Sequence, residues 1–221
     1  MKTKIKRPAV ERRYNPGAVE LRSDGEGKPA RVHGYAAVFG KRSSNLGWGS
    51  FEFYEIIERG AFDDCLNGDV RALFNHDANL ILARSKNGEG TLKIGADDVG
   101  LWYEFEAPDT NAGRDIVESL KRKDVDQSSF AFHLAKDGER WEETKEGDKT
   151  VAVRTIKKVE RLYDVSPVTY PAYPDATVAL RSLDEFRGDA KPESAPTPDP
   201  AVEPVSNFPM RSLWAARFGC R

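Results

Sequence analysis

Residues 126–134 read Asp-Gln-Ser-Ser-Phe-Ala-Phe-His-Leu, a stretch that predicts a strand with one apolar face. Because side chains alternate across a strand, Ser128 shares a face with two phenylalanines and Leu134. Ser129 shares the opposite face with an alanine and His133. The aromatic face is expected to be core, so Ser129 is predicted to face outward with room for a substrate beside it. On spacing alone, a polar strand start explains the two serines more readily than catalysis does.

Strand patterns recur on both sides of this stretch. Residues 32–39 have the pattern of a buried strand, and residues 101–107 alternate between apolar and largely acidic positions. Residues 150–156 also alternate, and they follow residues 136–143 across a turn at 145–148. That arrangement predicts a hairpin.

Two short helices are predicted between these strands. Residues 60–66 form the shorter one, and residues 111–123 form the better one, with Asn111 as a candidate cap and three basic residues at its end. Many strands and few helices predict a mainly β chain with flanking helices, of the α+β type. The expected architecture is a closed or nearly closed β-barrel.

Composition narrows the functional classes. The chain has 221 residues, of which 39% are hydrophobic and 32% charged, which suits one soluble domain with tails. Its net charge of −2 gives no global indication of nucleic acid or an anionic membrane as a partner. No apolar run reaches the roughly 18 residues of a membrane span. The basic N-terminal stretch lacks the apolar core of a secretory signal, so a cytoplasmic location is expected.

The cysteines and histidines predict neither a disulfide framework nor a metal site. The two cysteines are Cys65 and Cys220, which lie far apart and form no metal-binding pair. The three histidines are His33, His76 and His133, and none has a second ligand at a typical zinc spacing. Neither a metal nor another cofactor is therefore predicted.

Four regions follow from the distribution of apolar residues. Residues 1–29 are basic and polar and are interpreted as a flexible arm. Residues 30–186 carry nearly all of the periodic apolar pattern and form the predicted domain. Residues 187–205 are rich in proline and predict a disordered linker. Residues 206–221 are apolar again and could act as a short docking peptide.

His76 is a candidate general base. It follows an apolar strand that ends at Phe74, within the step Asn75-His76-Asp77. A histidine just beyond a buried strand is held by a rigid scaffold and can still reach a substrate. His133 is a rival, but four strand residues place it roughly 13 Å from Ser129. From the local sequence alone, a surface-loop histidine remains the more common explanation of His76.

Asp164 is a candidate partner for that histidine. It lies among apolar residues on a predicted strand, and a carboxylate in apolar company needs a hydrogen-bonding or charged partner. A histidine ring would serve, and it would then be held in the tautomer that a serine–histidine pair requires. A salt bridge to Arg161 is the alternative.

Five short stretches, taken together in order, resemble the prohead (head maturation) proteases of tailed bacteriophages. The stretches are residues 32–39, 58–62, 74–77, 128–132 and 164–173. The resemblance implies a fold similar to herpesvirus assemblin, a β-barrel wrapped by helices. It also implies a serine endopeptidase with His76, Ser129 and Asp164 as catalytic residues.

The resemblance further implies partners and a location. Its expected substrates are the scaffold or the scaffolding segment of the major capsid protein, and the protease itself, cleaved inside the assembling procapsid in the host cytoplasm. Neither nucleic acid nor a membrane is expected as a partner, and the oligomeric state stays open, a homo-oligomer included. Two alternatives remain. One is a non-catalytic capsid-assembly or scaffold protein with the same barrel, and the other is a cysteine hydrolase that uses Cys65.

Overall fold

The computed structural model describes residues 10–15, 19–22, 29–47, 51–170, 183, 187 and 188, in which thirteen strands and one α-helix form. The elements are β1 (Glu11–Asn15), β2 (Val19–Arg22), β3 (Arg31–Val38), β4 (Phe51–Ile57), β5 (Asp69–Phe74), β6 (Asp77–Lys86), β7 (Glu89–Gly90), β8 (Leu92–Ala96), β9 (Gly100–Glu106), α1 (Asn111–Arg122), β10 (Gln127–Leu134), β11 (Glu139–Glu146), β12 (Lys149–Ile156) and β13 (Val159–Val168).

The strands form three sheets. The largest has six strands in the order β1-β10-β13-β5-β6-β7, a second has the order β2-β3-β9-β8, and a third has the order β11-β12-β4. In the large sheet, β13 lies between β10 and β5, antiparallel to the first and parallel to the second. The strands that carry Ser129 and Asp164, and the strand that leads into His76, are therefore direct neighbours.

The predicted closed or nearly closed barrel is wrong. Within the described residues, each of the three sheets is open, with two strand edges that do not meet. The predicted flanking helices are also wrong in number, because α1 is the one helix in this part of the chain. Residues 60–66 form consecutive turns instead. Alternation along a strand identifies its two faces, but it carries no information about which sheet edges meet.

Several predicted elements are confirmed with small shifts in their bounds. The strand expected at residues 32–39 is β3, and that at residues 101–107 is β9, whose Leu101, Tyr103 and Phe105 are all buried. The predicted hairpin is β11–β12, joined at residues 147–148. The cap of α1 is Thr110, and not Asn111, since its side-chain oxygen accepts the Gly113 N–H.

The segment predicted as a flexible arm contains structure. Residues 11–15 and 19–22 form β1 and β2, and these strands join two different sheets. Apart from residues 187 and 188, the predicted linker lies outside the described residues, and so does the whole predicted docking peptide. No helix in the described ranges is long and apolar enough to cross a membrane.

An aromatic core lies behind the strand that carries Ser129. The Phe130 and Phe132 rings stack with centroids 5.0 Å apart, and Phe62 meets Phe130 edge to face at 5.6 Å. All three side chains are buried. The apolar face predicted for residues 126–134 is therefore core, and it fixes β10 from behind.

Phe130→Ala is expected to lower the free energy of unfolding by about 3–5 kcal/mol, because it leaves a cavity where two aromatic contacts were. Urea unfolding followed by tryptophan fluorescence measures the loss. Ile81→Ala is the control, since this side chain is 50% exposed and its truncation should cost no more than about 0.5 kcal/mol. Equal losses for the two variants would contradict the assignment of the core.

Candidate active site

His76 lies in a tight turn between β5 and β6. Asn75 and His76 both have left-handed backbone angles, with φ of 54° and 57°. Two such residues form the hairpin turn that matches strand twist, and asparagine is favoured at its first position. The conformation costs on the order of 1–3 kcal/mol per residue, so other contacts must hold it.

The end of β13 supplies those contacts. The Asn75 N–H donates to the Pro167 carbonyl at 3.0 Å, and the Asn75 side-chain oxygen accepts the Thr169 N–H at 2.9 Å. The Thr169 hydroxyl lies 3.2 Å from the same oxygen. The turn is thus tied at two points to the strand that carries Asp164, which fixes where the His76 ring lies.

The structure brings His76, Ser129 and Asp164 together. His76 Nδ1 lies 2.6 Å from Asp164 Oδ1, and His76 Nε2 lies 2.6 Å from Ser129 Oγ. The side chains of His76 and Asp164 are only 6% and 10% exposed. With its proton on Nδ1, the ring donates to the carboxylate and accepts from the serine hydroxyl. Such an arrangement can activate a hydroxyl as a nucleophile.

Strand register explains why these groups meet. Ser129 lies opposite Ser166, and Ala131 lies opposite Asp164, in the antiparallel pair β10–β13. Directly opposite residues share a face of the sheet, so the hydroxyl and the carboxylate are on one side. His76 reaches them from the neighbouring hairpin.

Ser166 is a residue that the sequence reasoning missed. Its hydroxyl is fully buried and donates to Asp164 Oδ1 at 2.7 Å. It also lies 3.4 Å from His76 Nδ1. The signal was present, since Ser166 follows Asp164 by two positions and must share its face on a strand.

Ser128 points to the other side of the sheet. Its hydroxyl donates to the Tyr103 hydroxyl at 3.0 Å in the core. Burial raises the pKa of Tyr103 above its ordinary value, so the phenol stays protonated. The geometry agrees with the strand-parity argument that separates the two serines.

The outward exposure predicted for Ser129 is wrong. Ser129 is 0% exposed and Ala131 is 1% exposed. The Ser129 hydroxyl meets the His76 ring on one side and lies 2.8 Å from the Arg13 carbonyl oxygen, to which it can donate. Sequence reasoning missed this contact because Arg13 lies in the segment expected to be flexible.

Neither rival residue is placed as His76 and Ser129 are. His133 Nε2 lies 3.7 Å from a Glu160 carboxylate oxygen, and the His133 side chain is 31% exposed. Cys65 is 4% exposed, and its thiol donates to the Phe62 carbonyl. Burial, with a smaller contribution from Asp64, raises the pKa of Cys65 to about 12. A thiol in that state is a poor nucleophile.

The described residues contain no group of three or more His, Cys, Asp or Glu side chains placed to hold a metal ion. A buried row of hydroxyl, imidazole and carboxylate is the arrangement that defines serine hydrolases.

Comparison with known proteins identifies the family. The sequence model of the caudovirus prohead serine proteases matches residues 18–188, so the chain belongs to that family and is a serine protease. It is also similar to the prohead protease of Enterobacteria phage HK97, with 24% identity over 184 residues, covering 80% of this chain and 72% of that protein.

A solved structure with some likeness is that of the bacteriophage T4 capsid assembly protease. The alignment covers 72% of this chain and 94% of that one, at 16% sequence identity. Its TM-score of 0.36 is too low to serve as evidence for a shared fold.

Native Cys65 should resist alkylation. In a Cys220→Ser variant at pH 8, a pKa of about 12 leaves only about one thiolate in 10⁴, so iodoacetamide should modify Cys65 slowly. The same protein in urea is the control and should react fully, as read by intact mass. Rapid native modification that also stops proteolysis would instead support a cysteine nucleophile.

Proposed function

We propose that Ser129 is the nucleophile of this protease, that His76 is its general base and that Asp164 orients His76. The observation that carries the proposal is the position of the His76 ring, 2.6 Å from both the Ser129 hydroxyl and an Asp164 oxygen. Membership of a serine protease family supports the same assignment.

The proposed reaction has two stages. His76 Nε2 takes the Ser129 proton as the hydroxyl oxygen attacks a peptide carbonyl carbon, and the protonated ring then gives that proton to the leaving amine. Water next attacks the acyl-serine, again giving a proton to His76. The proton returns to Ser129 Oγ as the carboxyl product leaves, so the enzyme ends unchanged.

Asp164 acts through the ring and not on the substrate. Its carboxylate faces Nδ1, which selects the tautomer with a free Nε2 and stabilises the imidazolium that forms during attack. Ser166 donates to the same carboxylate oxygen at 2.7 Å and so restricts how Asp164 can turn. We assign Ser166 a positioning role.

The proposed substrates follow from the family. The related HK97 protein is a prohead protease, so we propose that this chain cleaves a protein of the assembling capsid. The scaffold or the scaffolding segment of the major capsid protein is the proposed target, together with the protease itself. The reaction would take place inside the procapsid, in the host cytoplasm.

Ser129→Ala should abolish cleavage, because it removes the hydroxyl that lies beside His76 Nε2. We expect at least a roughly 10³-fold loss when the variant is co-expressed with the capsid protein and the products are mapped by mass spectrometry. Ser128→Ala is the matched control. This variant loses only the hydrogen bond to Tyr103, which should lower the free energy of unfolding by about 1–2 kcal/mol. It should give the same cleavage products as the parent protein. Cleavage by Ser129→Ala would refute the assignment.

Asp164→Asn and Ser166→Ala should form a graded series. On a peptide spanning a mapped cleavage site, the first should lower kcat by roughly 10²- to 10⁴-fold, because an amide cannot stabilise the imidazolium. Ser166→Ala should lower kcat less and leave KM nearly unchanged, since it only loosens the carboxylate. If Asp164→Asn kept full activity, the proposed role of Asp164 in the mechanism would be wrong.

A further inference from the structure

β1 occupies the edge of the strand that carries the proposed nucleophile. β10 pairs with β13 along one edge and with β1 along the other. The β1 pairing is antiparallel and continuous, with Tyr14 directly opposite Ser129. β1 also lies outside residues 18–188, the part of the chain that the family model matches. The family match therefore does not include this strand.

The main chain of β1 touches the reactive group itself. The carbonyl oxygen of Arg13 lies 2.8 Å from Ser129 Oγ and can accept a hydrogen bond from its hydroxyl. The bond between Arg13 and Tyr14 is thus the peptide bond held at the nucleophile. A hydroxyl has one proton, so donation to Arg13 competes with donation to His76. While Ser129 donates to Arg13, it does not donate to His76, as a serine activated by the ring must.

The Arg13 side chain enters a buried acidic pocket on the other face of the sheet. Its guanidinium contacts both carboxylate oxygens of Glu55, one through Nε and the other through Nη2 at 2.9 Å. The two side chains are 8% and 4% exposed. Burial alone would raise the pKa of Glu55, but Arg13 and Arg154 outweigh it and lower the value to about 2. With Arg13 in place, Glu55 is therefore ionised at neutral pH.

Part of the pocket does not belong to β1. Arg154 contacts Glu55 at 2.7 Å and Glu139 at 2.5 Å, so these three residues belong to the body of the protein. One cation and two carboxylates leave a charge of −1. β1 brings both Glu11 and Arg13, so the formal charge of this cluster is −1 with β1 as well as without it. What β1 supplies is a second guanidinium on Glu55. A cationic side chain from another peptide would replace that contact, whereas a neutral one would leave Glu55 with Arg154 alone.

We propose that β1 lies where a peptide substrate binds, and that Glu55 selects arginine or lysine at the residue whose carbonyl faces Ser129. This inference rests on the proposed function of Ser129. Substrate would pair with β10 as an added strand, a mode in which main-chain hydrogen bonds give affinity and side-chain pockets give specificity. β1 must leave for substrate to enter.

Two ion pairs set how firmly β1 is held. Glu11 accepts from Arg154 at 2.7 Å and 3.0 Å, and Arg13 binds Glu55. Glu11 and Arg13 are two residues apart, so their side chains lie on the same face of β1. When the whole strand leaves, Arg154 keeps Glu55 and Glu139, so no buried cation is left alone. That charge balance makes displacement of the whole strand less costly than loss of Arg13 alone.

A disulfide lock tests whether β1 must move. Arg12 lies opposite Ala131, and directly opposite antiparallel residues have the spacing that a disulfide needs. Arg12→Cys with Ala131→Cys, in a Cys220→Ser background, leaves the buried ion pairs intact. Ser129 labelling by a fluorophosphonate should be at least tenfold slower in the oxidised than in the reduced form. Arg12→Cys alone in the same background is the control and should show no redox effect.

A peptide panel tests the pocket. Peptides that carry arginine, lysine, glutamine or leucine before the cleaved bond should show at least tenfold higher kcat/KM for the two basic residues. Glu55→Gln should remove most of that preference, while Glu52→Gln on the same strand, which pairs with exposed Lys149, should retain it. Thermal melting of both variants checks that they are folded.

The outcomes separate this inference from the proposed function. Equal labelling of the two redox forms, or a preference unaffected by Glu55→Gln in a folded protein, would overturn the inference while Ser129-dependent cleavage stands. Absence of both labelling and cleavage in the reduced form would overturn both.

Discussion

The antiparallel pairing of β13 with β10 places Ser166 opposite Ser129 and Asp164 opposite Ala131. A shift of one residue in this register would move every side chain of β13 to the other face. Asp164 and Ser166 would then enter the aromatic core, and the carboxylate would be buried without His76. The core face of β13 opposes such a shift, because Leu162 and Val165 would leave the core. The packing of core side chains on one face of the sheet therefore fixes the positions of the proposed catalytic groups on the other face.

The same register positions the histidine. β5 pairs with β13 and leads into the Asn75–His76 turn, whose unfavourable backbone angles are held by Pro167 and Thr169 at the end of β13. All three proposed catalytic groups thus depend on one strand. The imidazole is positioned through the hydrogen bonds that tie its turn to the strand that carries the carboxylate.

Sequence reasoning was most successful where a single strand carries the information. The alternation of side chains along β10 distinguished Ser129 from Ser128, and it also predicted that Phe130 is buried. The contact of His76 with Asp164 spans 88 positions. The apolar surroundings of Asp164 indicated that it needs a partner, with Arg161 as the alternative, and the family resemblance implied His76. Closure of the sheets was predicted wrongly, because alternation does not report how sheet edges meet.

β1 was missed for a different physical reason. Its sequence, Glu-Arg-Arg-Tyr-Asn, has no apolar periodicity, so it has the composition of a flexible polar arm. Its position comes from buried ion pairs with Glu55 and Arg154, partners 42 and 143 positions away. Buried pairs of this kind contribute little net stability compared with apolar packing, but they specify which groups meet. Local patterns in a sequence cannot reveal them.

The central claim is that His76, held by Asp164, activates Ser129. Peptide mapping by mass spectrometry after reaction with a fluorophosphonate tests it most directly, in the parent protein and in His76→Ala. The account predicts an adduct on Ser129 in the parent and a rate at least roughly 10²-fold lower in the variant. An adduct on Ser128, or an unchanged rate without His76, would contradict it.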